Sequence, residues 1–148
     1  MVDLAWERAG ESLRKVALAE LESLHARKTG ALIRACLRLG ARVAHAGAPN
    51  GPPRDLLHRL DGYGQCLGLA FQITDDLLDV VGEVEQAGKR VGKDAERGKL
   101  TYPGLLGVEE SRRRAAVLGR EACDFVSGLG KEADHLRELV SFVLTRNR

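Results

Sequence analysis

Residues 71–83 read FQITDDLLDVVGE, and the placement of Asp75, Asp76 and Asp79 in this otherwise apolar run decides the fold. At about 100° per residue, Gln72 and the three aspartates fall within an arc of roughly 100° of a helix. Ile73, Thr74, Leu77, Leu78, Val80 and Val81 fill the rest of the circumference. A helix at the surface of a globule shows the reverse, an apolar stripe on a mostly polar cylinder. This helix is therefore expected to be surrounded by protein, with its carboxylates facing a cavity. The placement is also locally unfavourable. Asp75 and Asp79 are a like-charge i,i+4 pair, aspartate is a poor helix former, and all three precede Gly82, the expected helix end, where the dipole is negative. Such conflicts collect at functional sites, and the missing partner is a cation.

Working outward, the stripe belongs to a helix expected over residues 54–81, preceded by a turn, GAPNGPP, at 47–53. Gly64 and Gly68 lie beside the stripe, where they either admit a neighbouring helix or leave room for a ligand. Upstream, a helical pattern runs from Leu18 to Ala46, with Leu32, Cys36, Leu39 and Val43 in one row and Ile33, Leu37 and Ala44 in the next. Lys28, Thr29 and Gly30 interrupt it, so a kink is expected there. Residues 4–16 are weakly periodic, a short helix or loop. Downstream, residues 82–104 read as a glycine-punctuated loop containing Lys89, Arg90, Lys93, Arg97 and Lys99. Pro103 is expected to open a helix reaching Gly128, with Leu106, Ala115, Leu118, Ala122 and Phe125 inward. A final helix starts at Glu132 and ends in TRNR.

Composition agrees with an all-α protein: leucine, alanine, arginine and glutamate dominate the 148 residues. That length suits a single domain over 1–148. The net charge of +2 provides no global field for nucleic acid or anionic membrane, and 4% aromatics are too few for a base-stacking platform. Cys36, Cys66 and Cys123 lack a C-x-x-C pair and are expected to be reduced core residues. The four histidines show no zinc-ligand spacing. No apolar stretch has transmembrane length, and the N-terminus lacks a signal-peptide plan. The expectation is a soluble, cytoplasmic protein without a transmembrane segment or nucleic-acid partner.

Magnesium takes oxygen ligands and is usually held by one or two carboxylates together with substrate phosphates. The stripe offers such carboxylates, and Lys89 follows closely behind Asp79 in the chain. Together they suit a metal-bridged diphosphate. Taken singly, the D-D-x-x-D string is compatible with a solvated acidic turn and the basic loop with a solvated face. The loop is not a P-loop, because Asp94 stands where serine or threonine would bind magnesium.

The segments HARKTGALIRACLRLGA (25–41), GLAFQITDDLLDVVGE (68–83), GKRVGKDAERGKLTYPGLLG (88–107) and the terminal TRNR resemble the C-terminal half of the trans-isoprenyl diphosphate synthases, the farnesyl and geranylgeranyl type. The resemblance implies an isoprenoid-synthase-type helical bundle. It implies that Asp75, Asp76 and Asp79 hold Mg2+ bound to an allylic prenyl diphosphate. Lys28 and Thr29 match a pair near that diphosphate, Gln72 a glutamine beside it, and Lys89 and Lys99 the lysines that close over the phosphates. Asp3 matches an aspartate facing the metal site. In the family reaction the allylic diphosphate ionises, the double bond of isopentenyl diphosphate attacks the cation, and a proton is lost.

The resemblance also implies a missing half. The family's first aspartate-rich motif is absent, since the chain contains a single Asp-Asp pair, and Met1 to Leu4 fit the end of a family segment whose Gly-Gln is gone. The chain is thus expected to be a truncated C-terminal half that does not condense isoprenoids alone and meets isopentenyl diphosphate only if the other half is supplied. Its central helix is expected to be partly uncovered and covered by homo-oligomerisation. Two other classes compete: a non-catalytic partner subunit related to the synthases, against which the intact DDLLD argues, and a structural helical module with a solvated acidic stripe. Terpene cyclases and squalene-type synthases share the architecture, but the GKRVGKD and GKLTYP segments argue for the elongating branch.

Overall fold

In the computed structural model, which describes the backbone of residues 3–87 and 100–146 and the side chains of residues 10–80 and 100–146, every regular element is a helix. Helix α1 (Asp3–His25) is continuous for 23 residues, so the weakly periodic stretch at 4–16 is not a separate short helix or loop. Its alanine, leucine, glutamate and arginine content favours a helix, and Gly10 alone, at about 1 kcal/mol against alanine, does not break it. One π-helical turn, Ala26–Gly30, follows, and then α2 (Ala31–Ala44). The interruption expected at Lys28–Gly30 is thus a local widening of a nearly continuous rod.

Helix α3 (Arg54–Ala87) has 34 residues and runs through Gly82 rather than ending there. The residues after Gly82, EVEQA, are mostly good helix formers that offset one glycine. Lys89 and Lys99 lie outside the described residues. The single helix expected after Pro103 is two: α4 (Tyr102–Leu106) and α5 (Val108–Val126), separated at Gly107 with φ 82° and ψ 162°. That backbone conformation is available to glycine and strained for other residues. A 3₁₀ segment, Ser127–Ala133, leads to α6 (Asp134–Thr145), two residues later than expected.

Helix α3 forms the axis of the core. Its Tyr63, Leu67, Ala70 and Ile73, at i,i+3 and i,i+4 spacing, meet Ala115, Leu118, Ala122 and Val126 of α5 and Val140 and Val143 of α6. The Tyr63 hydroxyl donates to the Leu136 carbonyl at 2.9 Å, and burial pushes its pKa up to about 12. Of the residues expected inward, Ala115, Leu118 and Ala122 are buried, and Leu106 and Phe125 pack partly buried against them.

Helix packing accounts for Gly64 and Gly68. A Cβ on Gly64 would stand 2.9 Å from the side chains of Arg34 and Leu37, and one on Gly68 would stand 3.0 Å from Gly30 Cα. The two rods therefore touch backbone to backbone where the π turn crosses α3. Ile33 and Leu37 face this contact. The other apolar row of α2 faces outward: Leu32, Leu39 and Val43 are 66%, 63% and 68% exposed, and Cys36 between them is exposed rather than in the core. Cys66 is buried as expected and Cys123 half-buried. Among the described residues α3 carries no large exposed apolar side chain; exposed ones lie on α2, on α1 at Leu13, Val16 and Leu24, on α6 at Leu139 and Phe142, and at Leu100. Over its described residues the apolar surface of the central helix is thus better covered than expected, because α2, α5 and α6 pack against it. Among the described residues no helix is long and apolar enough to cross a membrane.

Candidate functional site

The carboxylate stripe of α3 faces a cavity of about 720 Å³. Gln72, Asp75, Asp76 and Asp79 form one wall. Opposite, α1 presents Glu20, Leu21, Leu24 and His25, spaced so that one helical face supplies them, and the π turn adds Lys28 and Thr29. Leu100 closes the rim. A π turn carries more residues per turn than an α-helix and recurs at functional sites. Here it brings Lys28 and Thr29 to the cavity while Gly30 stays in contact with Gly68.

Lys28, Thr29, Gln72, Asp75, Asp76 and Asp79, separated widely in the sequence, thus share one cavity. Lys89 and Lys99 lie outside the described residues, as does the side chain of Asp3; the backbone of Asp3 opens α1. Among the described residues, Glu20, Asp75, Asp76 and Asp79 bring carboxylates to the lining and Lys28 an ammonium, and Arg146 pairs with Asp75. Among the described residues no group of three or more His, Cys, Asp or Glu side chains converges closely enough to hold a metal by itself.

The three aspartates have distinct surroundings. Asp76 is 5% exposed and accepts the backbone N–H of Tyr102 at 3.0 Å. Asp75 is half-buried and forms an ion pair with Arg146. Asp79 is exposed on the cavity side. Tyr102 is fully buried, its ring stacked on His25 with centroids 5.8 Å apart and planes 20° off parallel. Burial, followed by the neighbouring Glu22 carboxylate, raises the pKa of the Tyr102 phenol well above its ordinary value, so it remains protonated.

Arg146 is a site neighbour that reading the sequence did not single out. Its guanidinium lies 4.0 Å from the centroid of the Phe71 ring, donates to the Phe71 carbonyl at 3.2 Å, and pairs with Asp75. The only signal in the sequence was the basic end TRNR, which carries no information about where α6 returns. The pair ties the end of α6 to the first aspartate of the stripe and relieves part of the Asp75–Asp79 repulsion.

A family profile described as polyprenyl synthetase matches residues 1–125. The chain is 42% identical over 138 residues to the farnesyl diphosphate synthase of Escherichia coli, an alignment covering 91% of this chain and 44% of that protein. It is 40% identical over 148 residues to the chloroplastic geranylgeranyl pyrophosphate synthase 3 of Arabidopsis thaliana, covering 99% of this chain and 39% of the relative. Among solved structures, the apo FPP/GFPP synthase of Zymomonas mobilis superposes with a TM-score of 0.63 at 33% identity, over 91% of this chain and 44% of that one. The chain therefore spans about two fifths of the length of these relatives.

Proposed function

The chain belongs to the polyprenyl synthetase family, and from that premise we propose that its cavity binds the diphosphate of an allylic prenyl diphosphate through magnesium. The chain would act as the diphosphate-holding part of a short-chain trans-prenyltransferase of isoprenoid biosynthesis. The observation that supports this most is the meeting of Lys28 and Thr29 with Gln72, Asp75 and Asp79 on one cavity, from rods that touch at Gly30 and Gly68.

The donor set suits a hard cation. The lining offers carboxylate, hydroxyl and carboxamide oxygens, and one or two carboxylates completed by diphosphate oxygens is the coordination magnesium takes. Bound there, the metal would supply positive charge to a departing diphosphate. Asp75 and Asp79 would orient the cation. The Lys28 ammonium, the Thr29 hydroxyl and the Gln72 amide are donors for diphosphate oxygens, and fixed donors aimed at developing negative charge are the larger part of electrostatic catalysis. Asp3, Lys89 and Lys99 are assigned to the same site on the family resemblance alone.

Condensation needs a second partner, isopentenyl diphosphate, and the family's other aspartate-rich motif. With a single Asp-Asp pair, this chain alone does not elongate isoprenoids in our reading. The exposed row on α2 would be covered in a homo-oligomer, and the protein would act in the cytoplasm. The same row favours a second reading, a non-catalytic subunit that docks on a synthase.

Titration of the purified chain with geranyl diphosphate and with isopentenyl diphosphate, each with and without Mg2+, tests the assignment, and a radiolabelled transfer assay accompanies it. The expected result is magnesium-dependent binding of geranyl diphosphate, at least about tenfold tighter than isopentenyl diphosphate, with no elongated product. Equal binding of both would overturn the allylic assignment, and robust turnover would overturn the inactivity of the chain alone.

A further inference from the structure

The first turn of α4 lies against the aspartate stripe, and each of its amides has a definite acceptor. A helix start leaves its leading N–H groups without intrahelical partners. In α4 the Gly104 N–H donates to Thr101 Oγ1 at 3.2 Å and the Leu105 N–H to the Thr101 carbonyl at 3.1 Å. Pro103 has no N–H to satisfy. The last donor, Tyr102 N–H, goes to Asp76 Oδ2 at 3.0 Å. Both partners are buried, Asp76 at 5% and Tyr102 at 0% exposure. A buried amide requires an acceptor, and a charged one makes the stronger bond. The link continues beyond α4, because the Tyr102 ring stacks on His25, three residues before Lys28.

We propose that Asp76 is a positioning residue: it holds α4 and, through the Tyr102 ring, the His25 end of α1 against α3, while Asp75 and Asp79 are the carboxylates that meet the cation. Burial and hydrogen bonding support this division: Asp76 is 5% exposed and its Oδ2 accepts the Tyr102 N–H, whereas Asp75 is half-buried and Asp79 exposed. Asp75 and Asp79 stand one above the other at i,i+4, and Asp76 is turned about 100° from Asp75, toward α4. The proposal deepens the reading given above and rests on it for the cation and the pyrophosphate.

Asparagine at position 76 keeps an acceptor oxygen of nearly the same shape and removes the charge that a metal would need; alanine removes both. The test uses the full chain as wild type, Asp76→Asn, Asp76→Ala and Asp75→Asn. Two readouts are taken: hydrogen exchange at the Tyr102 amide, and calorimetric titration with inorganic pyrophosphate in Mg2+. The expected result is that Asp76→Ala speeds Tyr102 exchange and weakens pyrophosphate binding by about tenfold or more, as loss of a buried acceptor implies. Asp76→Asn should bring both back to within about threefold of wild type, as a retained neutral hydrogen bond implies, whereas Asp75→Asn should lose binding with Tyr102 still protected.

Asp76→Asn losing binding as completely as Asp75→Asn, with the Tyr102 amide protected, would make Asp76 a ligand and overturn the proposal. Unchanged Tyr102 exchange in Asp76→Ala would overturn the anchoring. Should Asp76→Ala not fold, the asparagine variant decides. Absence of pyrophosphate binding by wild type would sink the reading of the cavity, and Tyr102 exchange in the two Asp76 variants would still decide whether that side chain anchors α4.

Discussion

Asp75, Asp76 and Asp79 share a stripe on α3 but have three different environments: an ion pair with Arg146, a buried bond to Tyr102 N–H, and an exposed position on the cavity wall. The stripe is legible from the sequence because helical spacing alone places those side chains together. The environments are not, because Tyr102 and Arg146 arrive from distant parts of the chain and nothing local in DDLLD records them. The cysteines show the same limit. An apolar row without a partner has the same pattern as a buried one, so Cys36 is expected in the core and emerges on the open face of α2. Burial, with the Glu121 carboxylate adding to it, pushes the Cys66 thiol up to about 11. The raised value means that the reactive thiolate is scarce at pH 8 and grows only as pH climbs toward 11. A disulfide reagent added to native protein at pH 8 is therefore expected to modify Cys36 first and Cys66 only after unfolding. Equal rates at both thiols, followed by mass spectrometry of peptides, would contradict the burial of Cys66.

At the scale of elements, the site depends on the crossing of the π turn over α3. Gly30 and Gly68 let two backbones meet, and Lys28 and Thr29 reach the cavity from the widened turn. Alanine at position 68 would gain about 0.5–1 kcal/mol in helix propensity. Its Cβ would also stand 3.0 Å from Gly30 Cα, a backbone atom that cannot rotate away, and overpacking of this kind typically costs about 1–3 kcal/mol. The clash should win. Urea denaturation of Gly68→Ala is expected to give a lower midpoint with an unchanged slope; a raised midpoint would mean that propensity dominates and the crossing is looser than described. The sequence located the interruption at Lys28–Gly30 and the glycines opposite it, since both are local signals. It left two meanings for Gly64 and Gly68, because close packing and an open pocket both call for a missing side chain. The break at Gly107 was missed for a related reason: a positive φ is a property of the backbone path, and GLLGV is compatible with one helix or two.

The whole chain reads as all-α from composition and periodicity, and its axis, core and cavity wall follow from one long helix whose circumference is divided unequally. Its coverage could not be read in the same way. Among the described residues α3 exposes no large apolar side chain, and the open row of Leu32, Leu39 and Val43 lies on α2. Contiguous apolar surface of this kind drives association. Light scattering at tens of micromolar protein is expected to report a dimer or larger assembly that Leu39→Lys with Val43→Lys converts to monomer, whereas a folded wild-type monomer would contradict self-association through α2. The chain spans about two fifths of relatives that are farnesyl and geranylgeranyl synthases. What it holds of their chemistry depends on whether the acidic wall is neutralised by cation and diphosphate together. The most direct measurement is calorimetric titration of inorganic pyrophosphate into the full chain, with and without Mg2+, for wild type and for Asp75→Asn with Asp79→Asn. Heat that requires Mg2+ and disappears in the double variant is expected. Binding that is indifferent to Mg2+ or survives removal of both carboxylates would show that the stripe does not hold a cation.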